Sequence, residues 1–128
     1  MADTARKAKV LLVDDEPNIL LAVEFLVLQQ GYEVSTAANG EQALQVAAAF
    51  VPDIIVLDVM MPGMDGYEVA RHIRANPAWD HIRIIFLTAK GATADRMQGY
   101  DSGGEVYITK PFDNDYLINT INEVYEFG

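Results

Sequence analysis

The chain contains no cysteine, which excludes a disulfide framework and any thiolate metal site. Basic residues are scarce. Nine Lys and Arg stand against 19 Asp and Glu, for a formal net charge of −10 at pH 7. A domain this acidic repels phosphate backbones, so direct nucleic-acid binding is disfavoured and a hard cation or a basic partner surface suits it better. No apolar run is long enough to cross a bilayer, so no membrane insertion is expected. Near the N-terminus the apolar run Val10 to Val13 leads straight into acids, which does not fit a secretory leader, and the lack of cysteine is compatible with a cytoplasmic location. Internal repeats, linkers and low-complexity segments are also missing. What is present is 128 residues with 51% hydrophobic content, which fits one domain, residues 1–128, with a sizeable core.

Taken in order, apolar strands alternate with helical spacing. Residues 9–13 read as strand one, stopped by Asp14-Asp15-Glu16-Pro17. Proline is tolerated at the first helical position, and acids there suit the helix dipole. Helix one follows over about residues 18–30, with Ile19, Leu20, Val23, Leu26 and Val27 on one stripe and Gly31 as its stop. Residues 33–37 read as an edge strand. Asn39-Gly40 turns into helix two, with Ala43, Leu44, Ala47 and Phe50 inward and Pro52 beyond its end. Residues 53–58 form a continuous β-branched and aliphatic run, as expected of a strand buried on both faces. It ends on Asp58, and the turn chemistry of Pro62-Gly63 and Asp65-Gly66 follows. Asp65 is the better cap for helix three, about residues 66–75, which leaves Asp58 needing another explanation. Strand four covers about residues 82–87 and is followed by Thr88. Residues 91–104 have helical spacing but are dotted with glycine, each costing about 1 kcal/mol against alanine in a helix. Strand five, residues 106–109, leads into Lys110-Pro111, where a cis peptide is expected. The last helix, about residues 113–127, places Leu117, Ile121, Val124 and Tyr125 inward. Five strands alternating with five helices imply an α/β doubly wound parallel sheet with right-handed crossovers.

The polar residues of interest all lie at or just past the carboxyl ends of strands: Asp14 and Asp15, Asp58, Thr88 and Lys110. In a doubly wound sheet those ends share one edge, so the side chains should converge there. Each has a plainer reading alone. Asp14 and Asp15 could cap helix one, Thr88 could be an ordinary strand-end residue, and Lys110 could be a solvated charge. It is their conjunction at matched topological positions that defines a site. Clustered carboxylates without cysteine point to an oxygen-liking ion such as Mg²⁺. Three acids against one lysine also leave two charges uncompensated. Two like charges about 5 Å apart repel by roughly 3 kcal/mol at an effective dielectric near 20.

The motifs Leu12-Val13-Asp14-Asp15-Glu16, Leu57-Asp58-Val59-Met60-Met61-Pro62-Gly63-Met64-Asp65-Gly66, Leu87-Thr88-Ala89 and Tyr107-Ile108-Thr109-Lys110-Pro111-Phe112 resemble those of response-regulator receiver domains of two-component signalling, similar to the stand-alone chemotaxis type. The likeness extends from about Lys9 to Phe127. It implies a (βα)5 flavodoxin-like sandwich with strand order 2-1-3-4-5. It implies a phosphorylation-activated switch that takes a phosphoryl group from a histidine kinase onto Asp58, and that catalyses only its own phosphorylation and dephosphorylation. The resemblance also implies Mg²⁺ held by Asp15 and Asp58, by the Met60 backbone carbonyl, and by Asp14 largely through water. Thr88 and Lys110 would contact the phosphoryl group, and Thr88 and Tyr107 would form the switch. Met60 and Lys90 lie two residues after Asp58 and Thr88, where the family tunes access of the hydrolytic water. Gly103-Gly104-Glu105-Val106 departs from the Gly-Ala-Asp-Asp commonly found before the tyrosine.

The implied partners are a histidine kinase or phosphotransfer protein and a downstream effector using the face built from residues 91–127, with the chain a monomer or a phosphorylation-dependent dimer. A receiver cut from a larger multidomain regulator is the alternative to a stand-alone one. An aspartyl phosphatase of the haloacid-dehalogenase kind needs a second acid where Met60 stands. A flavin mononucleotide binder needs a hydroxyl- and glycine-rich loop where this chain has three acids. A pseudo-receiver that only docks partners would not need the full acidic set.

Overall fold

The computed structural model describes residues 8–89 and 106–127. The expected helix over residues 91–104, and with it Lys90 and the loop residues 103–105, lies outside the described residues. The strands are β1 (Lys9–Val13), β2 (Glu33–Ala37), β3 (Ile54–Asp58), β4 (Arg83–Ala89) and β5 (Val106–Lys110). Among the described residues the helices are α1 (Pro17–Gln29), α2 (Gly40–Phe50), α3 (Gly66–Arg74) and α4 (Asn114–Phe127), with a 3-10 turn at Pro77–Trp79. All strand pairs are parallel, in the order β2-β1-β3-β4-β5. Both the flavodoxin-like class and the order expected from the family resemblance are found.

Side chains alternate across a sheet with period two, and here both faces are covered. Leu11, Val13, Ile55, Leu57, Ile84 and Phe86 pack under α2 and α3 with Ala43, Ala47, Val69 and Ile73. Val10, Leu12, Ile54, Val56, Ile85 and Leu87 face the other way, against Val23 and Val27 of α1 and Leu117 and Ile121 of α4. Double coverage is why β1, β3 and β4 read as unbroken aliphatic runs. β2 has a partner on one side only and is correspondingly more polar.

Local signals account for most boundaries. Gly31, with φ of 93°, supplies the left-handed residue that ends α1, and its N–H donates to the Leu28 carbonyl. α3 starts with a capping box: Asp65 accepts from the Glu68 N–H, and Glu68 accepts from the Asp65 N–H. α2 ends without glycine. Val51 takes φ of 49° and donates its N–H to the Ala47 carbonyl at 2.8 Å, a conformation β-branched residues seldom adopt. One core assignment needs correction. Tyr125 is 45% exposed rather than inward, and its ring meets Tyr32 edge-on at 5.9 Å. Ile118 and Thr120 are buried instead, and the Thr120 hydroxyl donates to the Tyr116 carbonyl at 2.8 Å. His72 and His81 are exposed, and Trp79 packs partly buried beyond the end of α3.

Candidate functional site

Sheet register brings the polar residues together. Val13 pairs with Leu57 and Asp58 pairs with Leu87, so the acids after β1 and at the end of β3 reach one edge. Thr88 pairs with Thr109 and Ala89 with Lys110, which puts the hydroxyl and the ammonium at that same edge. Asp14 and Asp58 are 2% and 4% exposed, whereas Asp15 is exposed.

One ammonium bridges both buried acids. Lys110 Nζ lies 3.1 Å from Asp14 Oδ2 and 3.3 Å from Asp58 Oδ2. The remaining oxygens are held by backbone. Asp14 Oδ1 accepts from the Glu16 N–H at 2.9 Å and Asp58 Oδ1 from the Met60 N–H at 3.2 Å. Each buried carboxylate thus has one oxygen on the chain and one on Lys110, as burial of such groups requires. Helix capping does not explain the pair of acids. The residue at the α1 N-cap is Glu16, and its side chain makes no capping bond.

Burial pushes the Asp58 carboxyl up to about 6, with the Asp14 charge adding to it. The Lys110 charge and hydrogen bond and the Met60 N–H oppose this only in part. For Lys110 itself, burial pulls the ammonium down, but the hydrogen bond to Asp14 and the Asp58 and Asp14 charges outweigh it, so the net direction is up. The electrostatic penalty of the cluster therefore falls on Asp58.

Asp14, Asp15 and Asp58 each offer one carboxylate oxygen, and these lie within 4.8 Å of one another. An all-oxygen anionic donor set with this spacing fits a small hard cation. The cluster opens into a cavity of about 650 Å³ whose polar wall includes Asp15, Asp58 and Lys110, and whose rim is Ile19, Met60, Pro111 and Phe112. Met60 is 66% exposed there. The sequence had assigned Ile19 to the core stripe and had given Phe112 no site role. Both side chains are only partly buried against the core, and their remaining surface forms the cavity mouth. The Lys110-Pro111 peptide is cis, as expected.

Thr88 is buried, and its hydroxyl donates to the Ala89 carbonyl at 3.3 Å. Such a long bond is readily exchanged for a better acceptor. Tyr107 is half-buried, stacked on Phe86 with ring centres 5.3 Å apart and planes tilted by 31°.

Carboxylates and a lysine gathered at the carboxyl edge of a five-stranded doubly wound sheet make a charged α/β site unlike that of a dinucleotide binder, which is built on glycine and helix N-termini. Residues 10–122 match the family model of the response regulator receiver domain, and the chain belongs to that family. The response regulator PleD of Caulobacter vibrioides is 44% identical over 121 residues, covering 94% of this chain and 26% of PleD. The transcriptional regulatory protein AfsQ1 of Streptomyces coelicolor is 41% identical over 119 residues, covering 93% of this chain and 52% of AfsQ1. The chain thus spans between a quarter and about half of the length of these curated relatives. The Vibrio cholerae chemotaxis protein CheY4 superposes with a TM-score of 0.87 at 35% identity, over 92% of this chain and 98% of that one. Phosphorylation-dependent switching in two-component signalling is the general function of the family, whose members are signalling proteins rather than enzymes in the ordinary sense. Among the described residues no helix is long and apolar enough to cross a membrane.

Proposed function

We propose that this receiver, taken as one domain over residues 1–128, accepts a phosphoryl group on Asp58 from a histidine kinase or phosphotransfer protein. The observation that carries this reading is Asp58 in the cavity wall, with Lys110 3.3 Å away and bridging it to the buried Asp14. A carboxylate oxygen of Asp58 attacks phosphorus. The new P–O bond forms as the donor's bond to phosphorus breaks, and the electron pair leaves with the donor group, which takes up a proton. Attack of an anion on an anionic phosphoryl group needs positive charge to offset repulsion. Mg²⁺ supplies that charge when bound, and Asp14, Asp15, Asp58 and the Met60 carbonyl are the groups to hold it. Lys110 pairs with Asp58 at rest and turns its ammonium to the phosphoryl oxygens afterwards. Thr88 exchanges its long bond to Ala89 for a phosphoryl oxygen, and Tyr107 repacks against Phe86 as the hydroxyl moves. The apolar rim of Ile19, Met60, Pro111 and Phe112 gives a donor protein a surface to close over the reacting groups.

Output follows through the face built from residues 91–127, of which β5 and α4 are described, in the cytoplasm. The matched relatives are two to four times longer than the aligned stretch, so output through further chain in the same polypeptide stands beside the stand-alone arrangement. With acetyl phosphate and Mg²⁺, intact mass should show one added phosphoryl group, and none in EDTA. No addition in Mg²⁺, or equal addition in EDTA, would contradict this reading.

Met60 makes a second expectation specific. Its exposed thioether stands at the cavity mouth and cannot orient a hydrolytic water as an amide can. The phosphorylated protein should therefore persist, and Met60→Asn should shorten its lifetime about 10-fold. Decay of the intact-mass signal after donor removal is the measurement, and a longer lifetime in the variant would contradict the role given to Met60.

A further inference from the structure

We propose that Gly66 is a positioning residue for the phosphoacceptor: its missing side chain lets the first turn of α3 press directly against the Asp58–Val59 peptide and fix the depth of Asp58 in the cavity. The inference rests on the reading of Asp58 as acceptor. A Cβ at Gly66 would stand 2.5 Å from the Asp58 carbonyl oxygen, 2.9 Å from Val59 Cα and 3.1 Å from the Asp58 carbonyl carbon. All three are backbone atoms, so no flexible side chain can swing aside. Backbone dihedrals are not the reason for this glycine, because Gly66 lies outside the left-handed region. Gly63 in the same loop is the converse case. It has φ of 75°, and an added Cβ would meet nothing within 4 Å.

The peptide beyond Asp58 is clamped from two sides. The Val59 N–H donates to the Leu87 carbonyl of β4 at 3.0 Å, and the Val59 carbonyl accepts from the Gly66 N–H at 3.0 Å. On the far side α3 has little freedom to retreat. Its start is fixed by the Asp65–Glu68 capping box, and Tyr67, Val69, Ala70 and Ile73 are buried. A side chain at Gly66 is therefore relieved at the Asp58 end, where the loop to Asp65 begins. Asp58 sits in a network of contacts between 3.2 and 3.3 Å, and misplacing a reacting group by about 1 Å costs up to roughly 100-fold in rate.

The test compares wild type, Gly66→Ala and Gly63→Ala by three readouts: amide exchange at Val59 in EDTA, Mg²⁺ affinity by calorimetry, and labelling rate with acetyl phosphate. Gly63→Ala should melt lower because alanine is strained at positive φ, yet keep all three at wild-type values. Gly66→Ala should exchange Val59 faster than its global stability allows. It should also bind Mg²⁺ several-fold more weakly and label at least about 10-fold more slowly. Wild-type Val59 protection and Mg²⁺ affinity in Gly66→Ala, after allowance for stability, would overturn the proposal. If wild type itself takes no phosphoryl group, the acceptor reading fails, and Val59 exchange and Mg²⁺ affinity still decide the role of Gly66. Should Gly66→Ala not fold, Asp65→Ala takes its place, because it frees the same helix start without adding an atom. Weaker Mg²⁺ binding in that variant supports the proposal, and unchanged binding overturns it.

Discussion

Lys110→Ala is expected to destabilise the metal-free protein by about 3 kcal/mol at pH 8, the range for breaking a buried ion pair by removing one partner. The ammonium is the common partner of Asp14 Oδ2 and Asp58 Oδ2 at 3.1 and 3.3 Å, and both acids are buried. Without Lys110 two carboxylates face each other with only one backbone N–H each. Proton uptake by Asp58, whose carboxyl already sits at about 6, limits the loss, so the cost should shrink toward pH 5. Mg²⁺ binds the folded cluster and not the unfolded chain, and should restore part of the stability in a concentration-dependent way. Urea unfolding of wild type and variant, in EDTA and in Mg²⁺ at both pH values, is the measurement. A loss below about 1 kcal/mol in EDTA at pH 8 would mean that Lys110 behaves as a solvated surface charge.

The opposite sign is expected for Asp58→Asn. The carboxyl is raised from 3.8 to about 6 on folding, chiefly by burial. Between those values the folded state binds more protons than the unfolded one, so wild-type stability falls as pH rises from about 4 through 6 and is level above. At 1.36 kcal/mol per pH unit, the full difference is roughly 3 kcal/mol. Asparagine keeps the shape and cannot ionise. In EDTA the variant should therefore match wild type near pH 4 and melt on the order of 10 °C higher at pH 8. Lys110 is then left paired with Asp14 alone, with one buried carboxylate fewer to offset. In Mg²⁺ the order should narrow or reverse, because wild type holds the ion with one more carboxylate. Thermal melts across pH settle the point. An Asp58→Asn variant that melts lower than wild type in EDTA at pH 8 would show that Asp58 is not strained by its surroundings.

The fold was readable because its signals are local. Ile54 to Leu57 reads as a strand covered on both faces, Gly31 ends α1 by its backbone freedom, and Asp65 starts α3 by its side chain. The convergence of Asp14, Asp15, Asp58 and Lys110 was readable because residues at strand ends need only topology to meet. Distances were not. Lys110 reaches Asp58 at 3.3 Å and Asp14 at 3.1 Å, a double bridge that residue spacing does not report. Tyr125 misled because it lies one residue beyond Val124 on the helical stripe, at the boundary of the buried face, and Tyr32 offers it an edge contact at the surface. Val51 carries no local sign of its left-handed conformation. The close approach of Gly66 to Asp58 is a contact between a helix start and a strand end, which no spacing rule reports. The glycine-dotted helix expected over residues 91–104 lies outside the described residues.

Asp58 as the acceptor is tested most directly by intact mass of wild type and Asp58→Asn, each incubated with acetyl phosphate and Mg²⁺. One phosphoryl group on wild type and none on Asp58→Asn is the predicted result. Equal labelling of the two proteins would contradict the assignment.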